Sequence, residues 1–147
     1  MKHLMYLLFM VFLPMVANAD SVEIDGINYN LVSKTKEAEV IRPGSDRYSG
    51  VIIIPDSVNY DGKTYHVTKI GKSAFRYSFI ESVSIPKSIT AIEEEAFGYC
   101  EHLKSVHISD IAAWCKISFA DYYSNPLQYA HHLFLAENEI RDSTFAS

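Results

Sequence analysis

Between Val67 and Asp110 the chain carries the same unit twice, and that duplication limits what it can fold into. The first copy opens Val67-Thr68-Lys69-Ile70-Gly71-Lys72-Ser73-Ala74-Phe75-Arg76-Tyr77 and closes Ser82-Val83-Ser84-Ile85-Pro86. The second opens Ile89-Thr90-Ala91-Ile92-Glu93-Glu94-Glu95-Ala96-Phe97-Gly98-Tyr99 and closes Ser105-Val106-His107-Ile108-Ser109. Ile70/Ile92, Ala74/Ala96, Phe75/Phe97 and Tyr77/Tyr99 recur every 22 residues, whereas Ile80/Leu103, Val83/Val106 and Ile85/Ile108 recur every 23. The one-residue difference falls between Tyr77 and Ile80, where a loop absorbs it. A unit this short cannot enclose its apolar side chains alone and must stack on its neighbour. The expectation is a β-rich solenoid, with short parallel strands returned by turns or short helices, behind an N-terminal β-hairpin cap.

Alternation along the strands assigns their faces. Ile52 and Ile54, Val83 and Ile85, and Val106 and Ile108 point inward, and Ala74/Ala96 with Phe75/Phe97 close the core from the far side. The opposite face is then Val51, Ile53, Ser82, Ser84, Ser105 and His107. Stacked parallel strands would align these six as a ladder, and a rigid, regular surface of this kind binds at little ordering cost. The alternative is that they are fillers on a wet sheet. Tyr77 and Tyr99 occupy equivalent turns, where they form either a second, aromatic patch or a cover for the core's edge.

Upstream, Val22 to Leu31 alternates apolar with polar on both sides of Asp25-Gly26, a pair suited to a tight hairpin turn. Glu37-Ala38-Glu39-Val40-Ile41 reads as a third strand, stopped by Pro43-Gly44-Ser45. Gly50-Val51-Ile52-Ile53-Ile54-Pro55 is the first strand of repeat type. The stretch from Asn59 to His66, with Asp61-Gly62, reads as an inserted hairpin. After Asp110 the period fails. Ser109-Asp110 caps a short helix through Trp114, Ser124-Asn125-Pro126 opens a second turn through Ala130, and Leu133-Phe134-Leu135 reads as a strand before a polar turn. The tail from Arg141 to Ser147 is patternless, a frayed or truncated end.

The first residues have the form of an export signal: Met1-Lys2-His3 is basic, Leu4 to Val16 is apolar, and Ala17-Asn18-Ala19 is a small-x-small cleavage site. The apolar run is shorter than the roughly 20 residues that span a bilayer, which argues against a retained anchor. Cleavage before Asp20 divides the chain into 1–19, a signal peptide; 20–66, the β cap, first repeat-type strand and inserted hairpin; 67–110, the two repeats; and 111–147, an irregular flank. Losing Lys2 leaves the product one unit more acidic than the formal −5 of the whole chain, with no basic cluster, so nucleic acid and anionic lipid would be repelled. In an oxidising compartment Cys100 and Cys115 can form a disulfide. The alternative is that each is a small buried hydrophobe.

No paired carboxylates, nucleophile beside a base or phosphate-cradling glycine loop has useful spacing. His131-His132 near Glu137 and Glu139 has the flavour of a metal site, but adjacent imidazoles diverge, so neither a metal nor any other cofactor is expected. Glu93-Glu94-Glu95 reads as a solvated charge run.

The Ile-Gly turn, the Ala-Phe-x-Tyr-Cys core and the Val-x-Ile-Pro strand resemble the BspA-like leucine-rich repeats of exported proteins from Bacteroidetes-type bacteria. Ser78 stands where Cys100 stands in the second copy, a departure from that pattern. The resemblance implies a leucine-rich-repeat solenoid and a non-catalytic secreted, periplasmic or cell-surface protein, often connected with adhesion. The partner it implies is a protein or glycan, such as a host or matrix protein. A second reading is a structural module that docks end to end with itself or another chain through an uncapped C-terminal end. A third is a small exported hydrolase using His131 or His132.

Overall fold

A computed structural model describes residues 20–140. The expected signal peptide at 1–19 and the tail from Arg141 to Ser147 lie outside the described residues. The chain opens with β1 (Asp20–Ile24), β2 (Ile27–Val32) and β3 (Glu37–Ile41), an antiparallel meander. Its first turn is Asp25-Gly26, with φ of 50° and 81°, the left-handed pair that a two-residue hairpin requires. Next come β4 (Ser49–Ile53) and the hairpin of β5 (Ser57–Tyr60) and β6 (Lys63–Ile70) around Asp61-Gly62. The repeats supply β7 (Phe79–Ile85), β8 (Ala91–Ile92) and β9 (Ser105–Ile108). Helix α1 (Ile111–Cys115), β10 (Ser118–Phe119), β11 (His132–Leu135) and β12 (Asn138–Glu139) follow among the described residues.

From β3 onward the chain alternates between two sheets. One runs β1-β2-β3-β6-β8-β10, with β5 beside β6, and the other runs β12-β11-β9-β7-β4. All pairs along β3-β6-β8-β10 and β4-β7-β9-β11 are parallel, the arrangement that stacked coils impose. On the third side the described residues form no sheet, yet coils still bond to one another. Ser73, Phe75 and Tyr77 donate backbone N–H to the carbonyls of Glu94, Ala96 and Gly98 at 3.0, 2.8 and 2.9 Å. The turn residues Ser73, Tyr77, Glu95 and Tyr99 all adopt φ between 53° and 58°. Left-handed backbone at non-glycine residues carries strain of about 1–3 kcal/mol each. It is held here because it re-aims amides toward the next coil.

The shared core is the line Tyr48, Phe75, Phe97. Phe75 stacks on Phe97 with ring centroids 5.1 Å apart and 14° between planes, and Tyr48 meets the outer face of Phe75 at 4.9 Å. Ala74 and Ala96 are fully buried beside them, small enough to let the coils close up. Tyr48 fills, in the first coil, the space that phenylalanine fills in the next two. Its hydroxyl donates to the carbonyl of Ile41 at 2.6 Å and accepts from the N–H of Asn28 at 2.9 Å, tying the meander to the stack. Gly71 marks a close approach: a Cβ there would sit 2.9 Å from the carbonyl of Val40.

Two expectations need correction. The region after Asp110 is not irregular: β10 pairs in parallel with β8, Ser118 opposite Ala91, and β11 pairs with β9, His132 opposite Ser105. The coil continues at a spacing of 27 residues, because α1 and the 3-10 turns Tyr122–Ser124 and Pro126–Gln128 lengthen its returns. Nor is Cys115 a buried hydrophobe. It is exposed at the end of α1, while Cys100 is buried, its Sγ 3.0 Å from the carbonyl of Phe75, and both are free thiols.

Truncating Phe97 to Ala should cost about 3–5 kcal/mol, since it removes a fully buried ring and uncovers one face of Phe75; chemical denaturation measures it, and a loss below about 1 kcal/mol would contradict the placement. Burial pushes the Tyr48 phenol from 10.0 up to about 12. The unfolded chain therefore gives up this proton first, so the contribution of Tyr48 to stability is intact below about pH 10 and is lost as pH rises through 12. Tyr48→Phe should flatten that alkaline decline in denaturation measured against pH.

Candidate functional site

The six residues predicted for the strand face share one surface, in register. Across β4, β7 and β9, Val51 lies opposite Ser82 and Ser82 opposite Ser105; Ile53 lies opposite Ser84 and Ser84 opposite His107. Strand β11 extends both rows, with His132 opposite Ser105 and Phe134 opposite His107. The rungs are therefore Val51-Ser82-Ser105-His132 and Ile53-Ser84-His107-Phe134. Strand alternation sends Ile52, Val83 and Val106 the other way, and all three are buried.

Side-chain size shapes this face. Val51 and Ile53 stand out from β4 at 69% and 68% exposure, a high degree for aliphatic side chains. The small Ser82 and Ser84 form a low floor beside them. His107 forms the next rise, its ring stacked on Phe134 at 4.8 Å and 10°, and its Nε2 lies 3.2 Å from Ser105 Oγ. Ser105 in turn donates to Ser82 Oγ at 3.1 Å, which fixes the hydroxyls as a chain. The result is an open depression of about 480 Å3 lined by Val51, Ile53, Ser82, Ser84, His107 and Glu137. One wall is aliphatic, the floor offers hydroxyls, and the far wall offers an imidazole and a carboxylate.

Tyr77 and Tyr99 lie elsewhere, at the turns that precede β7 and β9. They stack at 4.7 Å and 9°, and Tyr123 continues the pile at 5.7 Å and 16°. The remaining faces are also occupied: Arg47 and Arg76 lie 5.8 and 5.0 Å from the Tyr77 ring, and Tyr122 meets Tyr123 edge-on. Arg76 is held by Glu95 at 2.9 Å. Because the π faces are spent on one another and on cations, this patch presents ring edges and hydroxyls to solvent.

Of the suggested metal cluster, His132 meets Glu139 across the β11–β12 hairpin, while His131 is exposed and Glu137 borders the depression. Among the described residues no three His, Cys, Asp or Glu side chains gather as a metal site, and no helix is long and apolar enough to cross a membrane. Sequence reasoning missed His132 and Phe134 as rungs and Glu137 as a wall. The available signal was Leu133 and Leu135 repeating Val106 and Ile108, but at 27 residues rather than 23.

Parallel strands stacked coil on coil, with an aromatic line in the core and a ridged strand face, define the leucine-rich-repeat class of fold. Within that class the chain belongs to the family described as BspA type leucine rich repeat region, whose model matches residues 64–146. Two of the solved structures similar to it have TM-scores above 0.5. A leucine rich cell surface protein from Faecalibacterium prausnitzii shares 28% identity at a TM-score of 0.52, over 62% of this chain and 24% of that one. This chain thus spans about a quarter of that relative's length. A leucine-rich repeat protein from Bacteroides capillosus shares 22% identity at a TM-score of 0.55, over 78% of this chain and 97% of that one. No curated protein matches the sequence.

Burial holds the Cys100 thiol up at about 11, against smaller opposing contributions from hydrogen bonds with Ser78. Alkylation of the native protein at neutral pH should therefore label Cys115 and spare Cys100 until the chain unfolds; mass spectrometry of the labelled peptides reads this directly, and early labelling of Cys100 would contradict its burial.

Proposed function

We propose that this is an exported, non-catalytic recognition protein that binds another macromolecule, protein or glycan, through the strand face of a continuous solenoid. In this reading β1 to β3 are the cap that shields the first coil's apolar end. The observation that carries it is the pair of in-register rungs, Val51-Ser82-Ser105-His132 and Ile53-Ser84-His107-Phe134, around a wide depression. Isolated aliphatic residues on a surface need no explanation, but two neighbours this exposed beside an ordered row of hydroxyls form a ready-made contact. Burying each against a partner would gain about 1.5–3 kcal/mol, enough to make them the centre of an interface.

The expected place of action is the cell surface or the medium outside the cell. That rests on the leader-like first residues and on the family, one relative of which is a cell surface protein. Adhesion to a host or matrix protein is the role that the family resemblance favours.

Replacing Ile53 by Asp together with His107 by Glu places charge on both walls without touching the core. Binding to a partner found by affinity capture should fall at least about tenfold, with the thermal melt unchanged. Undiminished binding by this double variant would move the site off the strand face.

A further inference from the structure

Strand β4 is the end of its sheet. Among the described residues it pairs with β7 alone, whereas the other sheet continues past β3 into β2 and β1. The amide of Ile54 donates to the carbonyl of Ser84 at 3.1 Å, so the backbone groups of Ile54 face β7. By strand alternation Ile52 faces β7 as well, and the N–H and C=O groups of Val51 and Ile53 face outward at the open edge. The two residues with the most exposed aliphatic side chains on the strand face therefore also present a row of donors and acceptors beside them.

Edges of this kind are usually blunted. Here β1 carries Glu23, β10 and β12 are two residues long, and β5 presents Ser57, Asn59 and Tyr60. On β4 the bulge at Gly50, with φ of 70°, and Pro55 confine the open register to Val51-Ile52-Ile53, which holds no charge. Among the described residues nothing lies within 4 Å of the position a Cβ would take on Gly50.

We propose that β4 recruits an extended segment of another polypeptide as an added strand, whose backbone pairs with Val51 and Ile53 and whose alternate side chains pack against the outer flank of that aliphatic pair. This deepens the recognition reading above, on which it rests, by choosing protein over glycan. Alternating N–H and C=O groups spaced along a strand are matched by a peptide backbone, and a sugar does not reproduce that spacing. The segment's side chains on that face should be apolar where they meet Val51 and Ile53.

The test starts from a phage-displayed library of random 12-residue peptides selected on the whole exported chain. A selected peptide should contain alternating apolar positions, and methylating its pairing backbone nitrogens should weaken binding about tenfold or more while leaving every side chain in place. In solution NMR the amide protons of Val51 and Ile53 should slow their exchange when the unmethylated peptide is added. Ile53→Pro, which removes an outward N–H that no strand among the described residues uses, should lose the peptide and keep the melt. Ser84→Trp, which fills the depression, separates the two readings. Loss with Ser84→Trp but not with backbone methylation or Ile53→Pro would leave the face as the site and overturn strand pairing. Failure of the library to yield a binder, or a homodimer in light scattering that Ile53→Pro dissolves, would also overturn it.

Discussion

The fold depends on the stacking of Tyr48, Phe75 and Phe97, since no single coil has enough apolar surface to keep one of these rings dry. Each ring is buried only because the next coil covers it. The same dependence explains the backbone: the left-handed turns at Ser73, Tyr77, Glu95 and Tyr99 are tolerable because they direct amides along the stack, where the neighbouring coil supplies acceptors. Packing and hydrogen bonding therefore reinforce one another in one direction, along the pile.

The two sheets share this stack but end differently. The first sheet is continued at its start by β2 and β1, and Tyr48 bonds that extension to the coils through Asn28 and Ile41. The second is continued at its far end by β12, which folds back antiparallel on β11. Each sheet is thus extended at one end, and the strand that among the described residues has no outer neighbour at the near end of the second is β4. Its outward side chains are also the most exposed aliphatics of the strand face, so sheet edge and side-chain surface coincide there.

Register converts a pattern into a surface. A parallel sheet places identical repeat positions opposite one another, so any side chain allowed at the solvent positions is lined up without further design. Serine at two successive levels leaves a hollow because its neighbours at those positions, Val51 and Ile53 on one side and His107 with Phe134 on the other, are larger. The tyrosine pile follows from the same register and has the opposite outcome: identical aromatic rings one coil apart stack on each other and leave no face free.

The sequence by itself determined the repeat, both hairpin turns, the inward residues and the six aligned face positions. These follow from local rules, the period of two along a strand and the backbone demands of Asp-Gly turns, which need no knowledge of what lies opposite. Tertiary structure decided what depends on a partner far along the chain. Tyr48 became a core ring because Phe75 needed a cover. Cys115 stayed in solvent because α1 turns it away from the stack. His132 and Phe134 joined the rungs at an altered spacing because the lengthened return still delivers β11 to the edge of β9. A loop's length is free to vary as long as its ends reach the next rung, and for that reason periodicity in sequence falters before periodicity in space.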